Sequence, residues 1–174
     1  FHDSLTQLPN RRFLEKEFPK LVDTAKLRNE SIAICYIDGD NFKQVNDLYG
    51  HDVGDEFIRK VGATLKRSIR QNDIVVRMGG DEFLVVLNQL SSDREEFEKQ
   101  ITAYFKRLQD EFEKGWFIQD IEFKPTSSMG VAKYPHDATE LDTLIDFADR
   151  ALVDVKRVTR NNYKLFHIGL IINE

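Results

Sequence analysis

The sequence carries a single cysteine, Cys35, in 174 residues, so no internal disulfide can form. That fits a reducing compartment. Cys35 lies inside the apolar run 32–37 and reads as a small core residue rather than a nucleophile. No apolar stretch approaches the length of a membrane span, and no secretory leader is visible. His2, His51, His136 and His167 fall into no zinc-like grouping. There is no positive surplus either: the formal net charge is −5. An acidic chain has no general electrostatic reason to hold a nucleic-acid backbone or an anionic membrane, so we expect neither as a partner. A bound polyphosphate would have to be held locally, by a metal ion or a small basic cluster. Internal repeats and low-complexity tracts are also missing.

What is present is core material. Hydrophobic residues make up 41% of the chain and 13 residues are Phe, which excludes intrinsic disorder and suits one domain. Pro9-Asn10 reads as a helix start, and Leu14, Phe18, Leu21 and Ala25 follow at helical spacing, with Pro19 kinking or restarting the helix. Residues 32–37 form a continuous apolar run of strand length, as in a strand buried on both faces. Phe57, Val61, Leu65 and Ile69 mark a second helix. Residues 74–76 and 83–87 are short β-rich runs around Gly79-Gly80-Asp81, a hairpin signal. Phe97, Ile101, Phe105, Leu108 and Phe112 mark a third helix. Residues 117–131 carry one strand or two, with an edge or bend at Pro125. Leu141, Leu144, Ile145, Ala148 and Leu152 mark a fourth helix, and 163–167 a last strand. Interleaved strands and helices with one tight hairpin predict a single mixed sheet flanked by helices.

Four constellations bear on chemistry. Asp38-Gly39-Asp40 places carboxylates where a buried strand leaves the core, and carboxylates suit magnesium. Gly79-Gly80-Asp81-Glu82-Phe83 puts two more acids after a glycine turn. Either alone is an ordinary polar turn. If the hairpin lies beside the 32–37 strand, Asp38 and Asp81 converge on one metal, as phosphoryl transfer requires. Asn46 and Asp55 flank Gly50-His51-Asp52-Val53-Gly54 and offer the groups that read a guanine edge, or cap a helix. Lys156 and Arg160, four apart, share a helix face that could hold phosphates, or form a solvated basic helix end.

The ordered set of motifs resembles the GGDEF-domain diguanylate cyclases. The matching residues are Asp3-Ser4-Leu5-Thr6, Leu8-Pro9-Asn10-Arg11-Arg12, Asp38 with Asp40, Phe42-Lys43, Asn46-Asp47, Gly50-His51, Gly54-Asp55, Arg77 and Gly79-Gly80-Asp81-Glu82-Phe83. They continue with Ser128-Met129-Gly130, Ala148-Asp149, Ala151-Leu152, Lys156 and Arg160-Asn161. Single motifs of this kind are weak, but their order and spacing together are specific.

The resemblance implies an α/β (α+β) fold of the nucleotidyl cyclase and polymerase palm type, with a mainly antiparallel mixed sheet. It implies condensation of two GTP into cyclic di-GMP with loss of pyrophosphate, across a homodimer in which each 3′-hydroxyl attacks the partner's α-phosphate. It assigns Mg2+, or Mn2+, to Asp38, Asp81 and the carbonyl of Gly39. Asp81 or Glu82 would help deprotonate the hydroxyl. Gly79 and Gly80 form the loop against the nucleotide, and Asn46 and Asp55 read guanine, Asp55 favouring it over adenine. The amides of Asn41 and Phe42, with Lys43, Lys156 and Arg160, hold the β- and γ-phosphates. Arg70 and Asp73 match the family's product-inhibition motif, which binds cyclic di-GMP; without the resemblance they read as a local ion pair. The resemblance further implies residues 1–174 as the catalytic domain of a longer regulated bacterial protein, in the cytoplasm or as the cytoplasmic part of a membrane-anchored sensor.

Some positions depart from the family pattern. Gly39 stands where a branched apolar residue is usual, which should loosen the backbone there. Gln7 replaces a common glycine, and Val153 and Val155 replace Tyr and Ala. Thr159 replaces a glycine; if that glycine is left-handed, Thr159 is strained and Arg160 misplaced. These departures keep a second reading open, a module that binds GTP or cyclic di-GMP without turnover.

Overall fold

The computed structural model describes residues 1–172. Helix α1 (Arg11–Arg28) leads into β1 (Ser31–Gly39), followed by α2 (Lys43–Tyr49) and α3 (His51–Ser68). The hairpin β2 (Ile74–Gly79) and β3 (Glu82–Leu90) precedes α4 (Arg94–Lys114). Then come the short strands β4 (Trp116–Ile118) and β5 (Ile121–Phe123), β6 (Ser127–Tyr134), α5 (Leu141–Val158), β7 (Tyr163–Leu165) and α6 (Gly169–Ile172). The main sheet has the order β2-β3-β1-β6-β7, and β4-β5 form a separate ribbon. β1 is antiparallel to both neighbours, and among the described residues only the β6–β7 pair is parallel.

β1 is central, so its side chains alternate between two cores. Ala33, Cys35 and Ile37 join Phe57, Val61, Leu65, Phe105 and Leu108 of α3 and α4. Ile32, Ile34 and Tyr36 join Leu14 and Phe18 of α1 and Leu144, Ile145, Ala148 and Leu152 of α5. The same alternation sends Leu84 and Val86 of β3 to the α1/α5 side and Phe83 and Val85 to the other. Burying a side chain such as Leu84 or Ile34 contributes about 2 kcal/mol over leaving it in water.

The mixed sheet expected from the sequence is present, with more pieces than the apolar pattern marks. α2 has one buried side chain, Val45, and so no periodicity to read. α1 runs unbroken through Pro19, which is exposed, so water can satisfy the carbonyl its ring deprives of a partner. The last strand is limited to Tyr163–Leu165. Trp116 packs edge-on against Phe57 with centroids 5.4 Å apart, at the base of the β4-β5 ribbon.

Candidate functional site

The register of β1 and β3 builds the acidic centre. Asp38 lies directly opposite Glu82, and Ile32, Ile34, Tyr36, Leu84 and Val86 of these strands face α1 and α5. Asp81 stands at the tip of the β2-β3 turn, made by Gly79 at φ 141° and Gly80 at φ 50°, a backbone that side-chain-bearing residues rarely adopt. Arg77 fixes the turn by donating to the Gly80 carbonyl at 2.7 and 3.2 Å. The Asp81 carboxyl is pushed above its ordinary range, by burial first and then by the charge of Asp38. Asp149 of α5 is raised too, by burial, then by Asp146 and Asp38. Asp38 thus lies across from the residue that follows Asp81, at one end of the sheet.

Lys156, in the last turn of α5, enters this centre. Its Nζ donates to Asp38 Oδ2 at 2.9 Å and to the Gly39 carbonyl at 3.1 Å. Asp38 Oδ1 is buried without a hydrogen-bond partner. Among the described residues no group of three or more His, Cys, Asp or Glu side chains encloses an ion. Magnesium does not need one, since it takes one or two carboxylates and completes its shell with water and phosphate oxygens. An orphaned carboxylate oxygen, a second carboxylate, and a carbonyl already engaged by a cation are donors that fit such an ion.

Gly39 is neither loose nor empty. It pairs with Ser127 at the end of β1, and a Cβ there would lie 1.9 Å from the ring of Phe42. Phe42 fills the space a branched residue would take, and meets Phe57 edge-on at 4.9 Å.

Asn46 on α2 packs against Gly54 of α3, the residue before Asp55, and both Asn46 and Asp55 are exposed. A Cβ on Gly54 would stand 1.4 Å from Asn46 Oδ1, so glycine is what lets α3 approach the amide. Asn41 has φ 66°, and the first bond of the α2 turn runs from Gln44 N to the Asn41 carbonyl. Asn41 and Lys43 are exposed and Phe42 is buried.

Two expectations about the end of α5 are corrected. Lys156 and Arg160 do not share a helix face, because α5 stops at Val158. Thr159 is not left-handed (φ −128°, ψ −34°); the reversal falls on Arg160 at φ 56° and Asn161 at φ 45°. The strain assigned to Thr159 therefore sits one residue later. It is offset by Arg160 N donating to the Val155 carbonyl at 3.1 Å and by Asn161 N donating to Asp40 Oδ2 at 2.9 Å.

Arg70 and Asp73 form an ion pair at 3.1 Å. The Asp73 side chain is fully buried, while that of Arg70 is half exposed. Asp73 also accepts from the backbone N–H groups of Arg70 at 3.1 Å and Asn88 at 2.9 Å. Its oxygens are engaged by the chain itself, and Arg70 alone presents to solvent. A groove of about 880 Å³ at the β7 edge, lined by Phe97, Lys133, Phe147 and Phe166 among others, includes none of the expected site residues.

The structure adds residues that the sequence did not single out for a role. Asp40, nearly buried, accepts from Thr126 Oγ1 and Ser128 Oγ at 2.8 Å each besides Asn161 N, and so ties the end of α5 to β1. Tyr36 donates its hydroxyl to Glu82 Oε1 at 2.9 Å. A signal existed: a tyrosine two residues before Asp38 in a strand lies on the same face.

Comparison with known proteins bears on the family and the fold. A family model described as "Diguanylate cyclase, GGDEF domain" matches residues 1–162. The chain is 35% identical over 159 residues to the diguanylate cyclase DgcP of Escherichia coli strain K12, covering 90% of this chain and 45% of DgcP. It is 32% identical over 171 residues to the cyclic di-GMP phosphodiesterase NbdA of Pseudomonas aeruginosa, covering 98% of this chain and 21% of NbdA. The chain thus spans less than half the length of these curated relatives. A solved structure comprising only the GGDEF domain of TpbB from Pseudomonas aeruginosa superposes with a TM-score of 0.90 at 30% identity, covering all of both chains. Among the described residues no helix is long and apolar enough to cross a membrane. With a family model spanning most of its length and a full-length structural match, the chain belongs to the diguanylate cyclase GGDEF domain family.

Proposed function

We propose that the chain is the catalytic domain of a diguanylate cyclase, joining two GTP into cyclic di-GMP with release of two pyrophosphates. The observation that carries this reading is the strand register that sets Asp38 opposite Glu82, next to Asp81, with Lys156 on Asp38. Magnesium or manganese held by Asp38, Asp81 and the Gly39 carbonyl would neutralise phosphate charge and acidify the attacking hydroxyl. Asn46, packed on Gly54, and the following residue Asp55 hydrogen-bond the guanine edge; a carboxylate at Asp55 favours guanine, whose ring N–H and amino group donate. The amides of Asn41 and Phe42, with Lys43, Lys156 and Arg160, hold the β- and γ-phosphates. Gly79 and Gly80 let the turn approach the nucleotide closely. Asp81 or Glu82 receives the proton of the 3′-hydroxyl. Each domain binds one GTP, so turnover requires a second copy facing the first.

The test is to incubate the chain at high concentration with GTP and Mg2+ and follow cyclic di-GMP. Product is expected to form faster than in proportion to protein concentration, and Asp81→Ala is expected to abolish it. A dimeric sample that makes none overturns the reading.

One observation favours a second reading, a module that binds GTP or cyclic di-GMP without turnover: the match to NbdA, a protein named for phosphodiesterase activity. It gives binding without product, with cyclic di-GMP affinity lost in Arg70→Ala.

A further inference from the structure

Lys156 holds the two oxygens that the proposed function gives to a metal. Its ammonium contacts Asp38 Oδ2 at 2.9 Å and the Gly39 carbonyl at 3.1 Å. The side chains of Lys156 and Asp38 are only 22% and 20% exposed, so water screens the pair poorly. An ammonium is a compact, strongly hydrated point charge, and its requirements for oxygen lone pairs are close to those of a small hard cation. A divalent ion on the same oxygens would sit within a few ångströms of the lysine charge, in a partly dehydrated site where that repulsion is strong.

The backbone beneath Lys156 is fixed. Thr159 N and Arg160 N both donate to the Val155 carbonyl, at 2.9 and 3.1 Å. Asn161 N is held by Asp40, which Thr126 and Ser128 hold in turn. This clamp ties the end of α5 to the end of β1, so α5 cannot carry the charge away. The four-carbon stem of the lysine can.

We infer that Lys156 is an exchangeable resident cation. It neutralises Asp38 until a nucleoside triphosphate arrives, then transfers to the phosphates as the divalent ion takes its oxygens. This rests on the cyclase reading and adds an order to it: metal alone binds weakly, and metal and nucleotide bind as a coupled pair. By linkage, each raises the affinity of the other by the same factor.

The test is Mn2+ binding to the full chain, read from the electron paramagnetic resonance signal of free Mn2+. Without nucleotide, Lys156→Met is expected to bind Mn2+ about tenfold more tightly than the wild type, because the competing charge is gone. Arg157→Met removes the same charge from the neighbouring position, where it pairs with Asp154, and is expected to match the wild type. Lys156→Arg keeps a cation and is expected to stay weak. With 3′-deoxy-GTP, which cannot cyclise, wild-type Mn2+ affinity is expected to rise by a larger factor than that of Lys156→Met.

Equal affinities of wild type and Lys156→Met without nucleotide, while Mn2+ binds the wild type with 3′-deoxy-GTP, overturn this inference and leave the cyclase reading standing. Failure of every form to bind Mn2+ even with 3′-deoxy-GTP overturns the metal site and both readings. Should Lys156→Met not fold, lysine 13Cε resonances of the wild type decide: the Lys156 signal is expected to shift on adding Mg2+ with 3′-deoxy-GTP, and a static signal overturns the inference.

Discussion

Arg77 pairs with Asp3, 74 residues earlier in the chain, through its Nη1 at 2.9 and 3.1 Å, while its remaining N–H groups hold the Gly80 carbonyl. The N-terminal turn and the glycine turn bearing Asp81 are thereby one unit. Burial alone would push the Asp3 carboxyl up, but hydrogen bonds from Thr6 and Arg77 bring it below its ordinary range. A carboxyl depressed in the folded state adds stability that is present above its unfolded pKa and is lost as pH falls through the folded one. Asp3→Asn is therefore expected to cost about 2 kcal/mol at neutral pH, with the deficit shrinking below about pH 4. Urea unfolding of both proteins across pH checks this; a deficit independent of pH would contradict it.

Asp40 shows the cost of one buried carboxylate with many dependents. Asp40→Ala leaves Thr126 Oγ1, Ser128 Oγ and Asn161 N without their acceptor. The expected loss is about 3 kcal/mol in denaturant unfolding. Amide exchange should speed up most at Asn161, since that loop hangs on the lost oxygen.

Restoring the usual family residue at position 39 is expected to harm this chain. Any Cβ there collides with the Phe42 ring, which is itself packed on Phe57. Gly39→Ile is expected to destabilise by about 2 kcal/mol as an overpacked site, and to displace Phe42. Unfolding curves give the energy and aromatic NMR shifts the displacement; an unchanged or raised stability would contradict the packing argument.

Tyr36 orients Glu82. Burial, and then Glu82 itself, push the phenol above its ordinary range, so the hydroxyl remains a donor throughout the physiological range. Tyr36→Phe is expected to lower kcat about tenfold with the KM for GTP unchanged, as loss of one orienting hydrogen bond should. The same change in a Glu82→Gln background is expected to have little further effect. Equal losses in both backgrounds would assign Tyr36 to packing alone.

The sequence by itself determined the layered mixed architecture, because an apolar run closed by Asp38 and helices of regular period leave few ways to bury their faces. It also located the acidic turns, since Gly79-Gly80-Asp81 between two β-rich runs signals a hairpin, and both glycines have positive φ. It did not reveal α2, whose single buried residue makes no pattern, or where the chain reverses after α5. Thr159 looked like the strained residue because a glycine was expected there, but hydrogen bonds to Val155 and Asp40 place the left-handed turn at Arg160. Only the tertiary structure decided that Asp38 faces Glu82, that Lys156 lies on Asp38, and that Phe42 fills the space above Gly39. The physical reason is range: periodicity and turn chemistry are local, whereas strand register and the docking of α5 on β1 and β6 are set by packing between residues far apart in the chain.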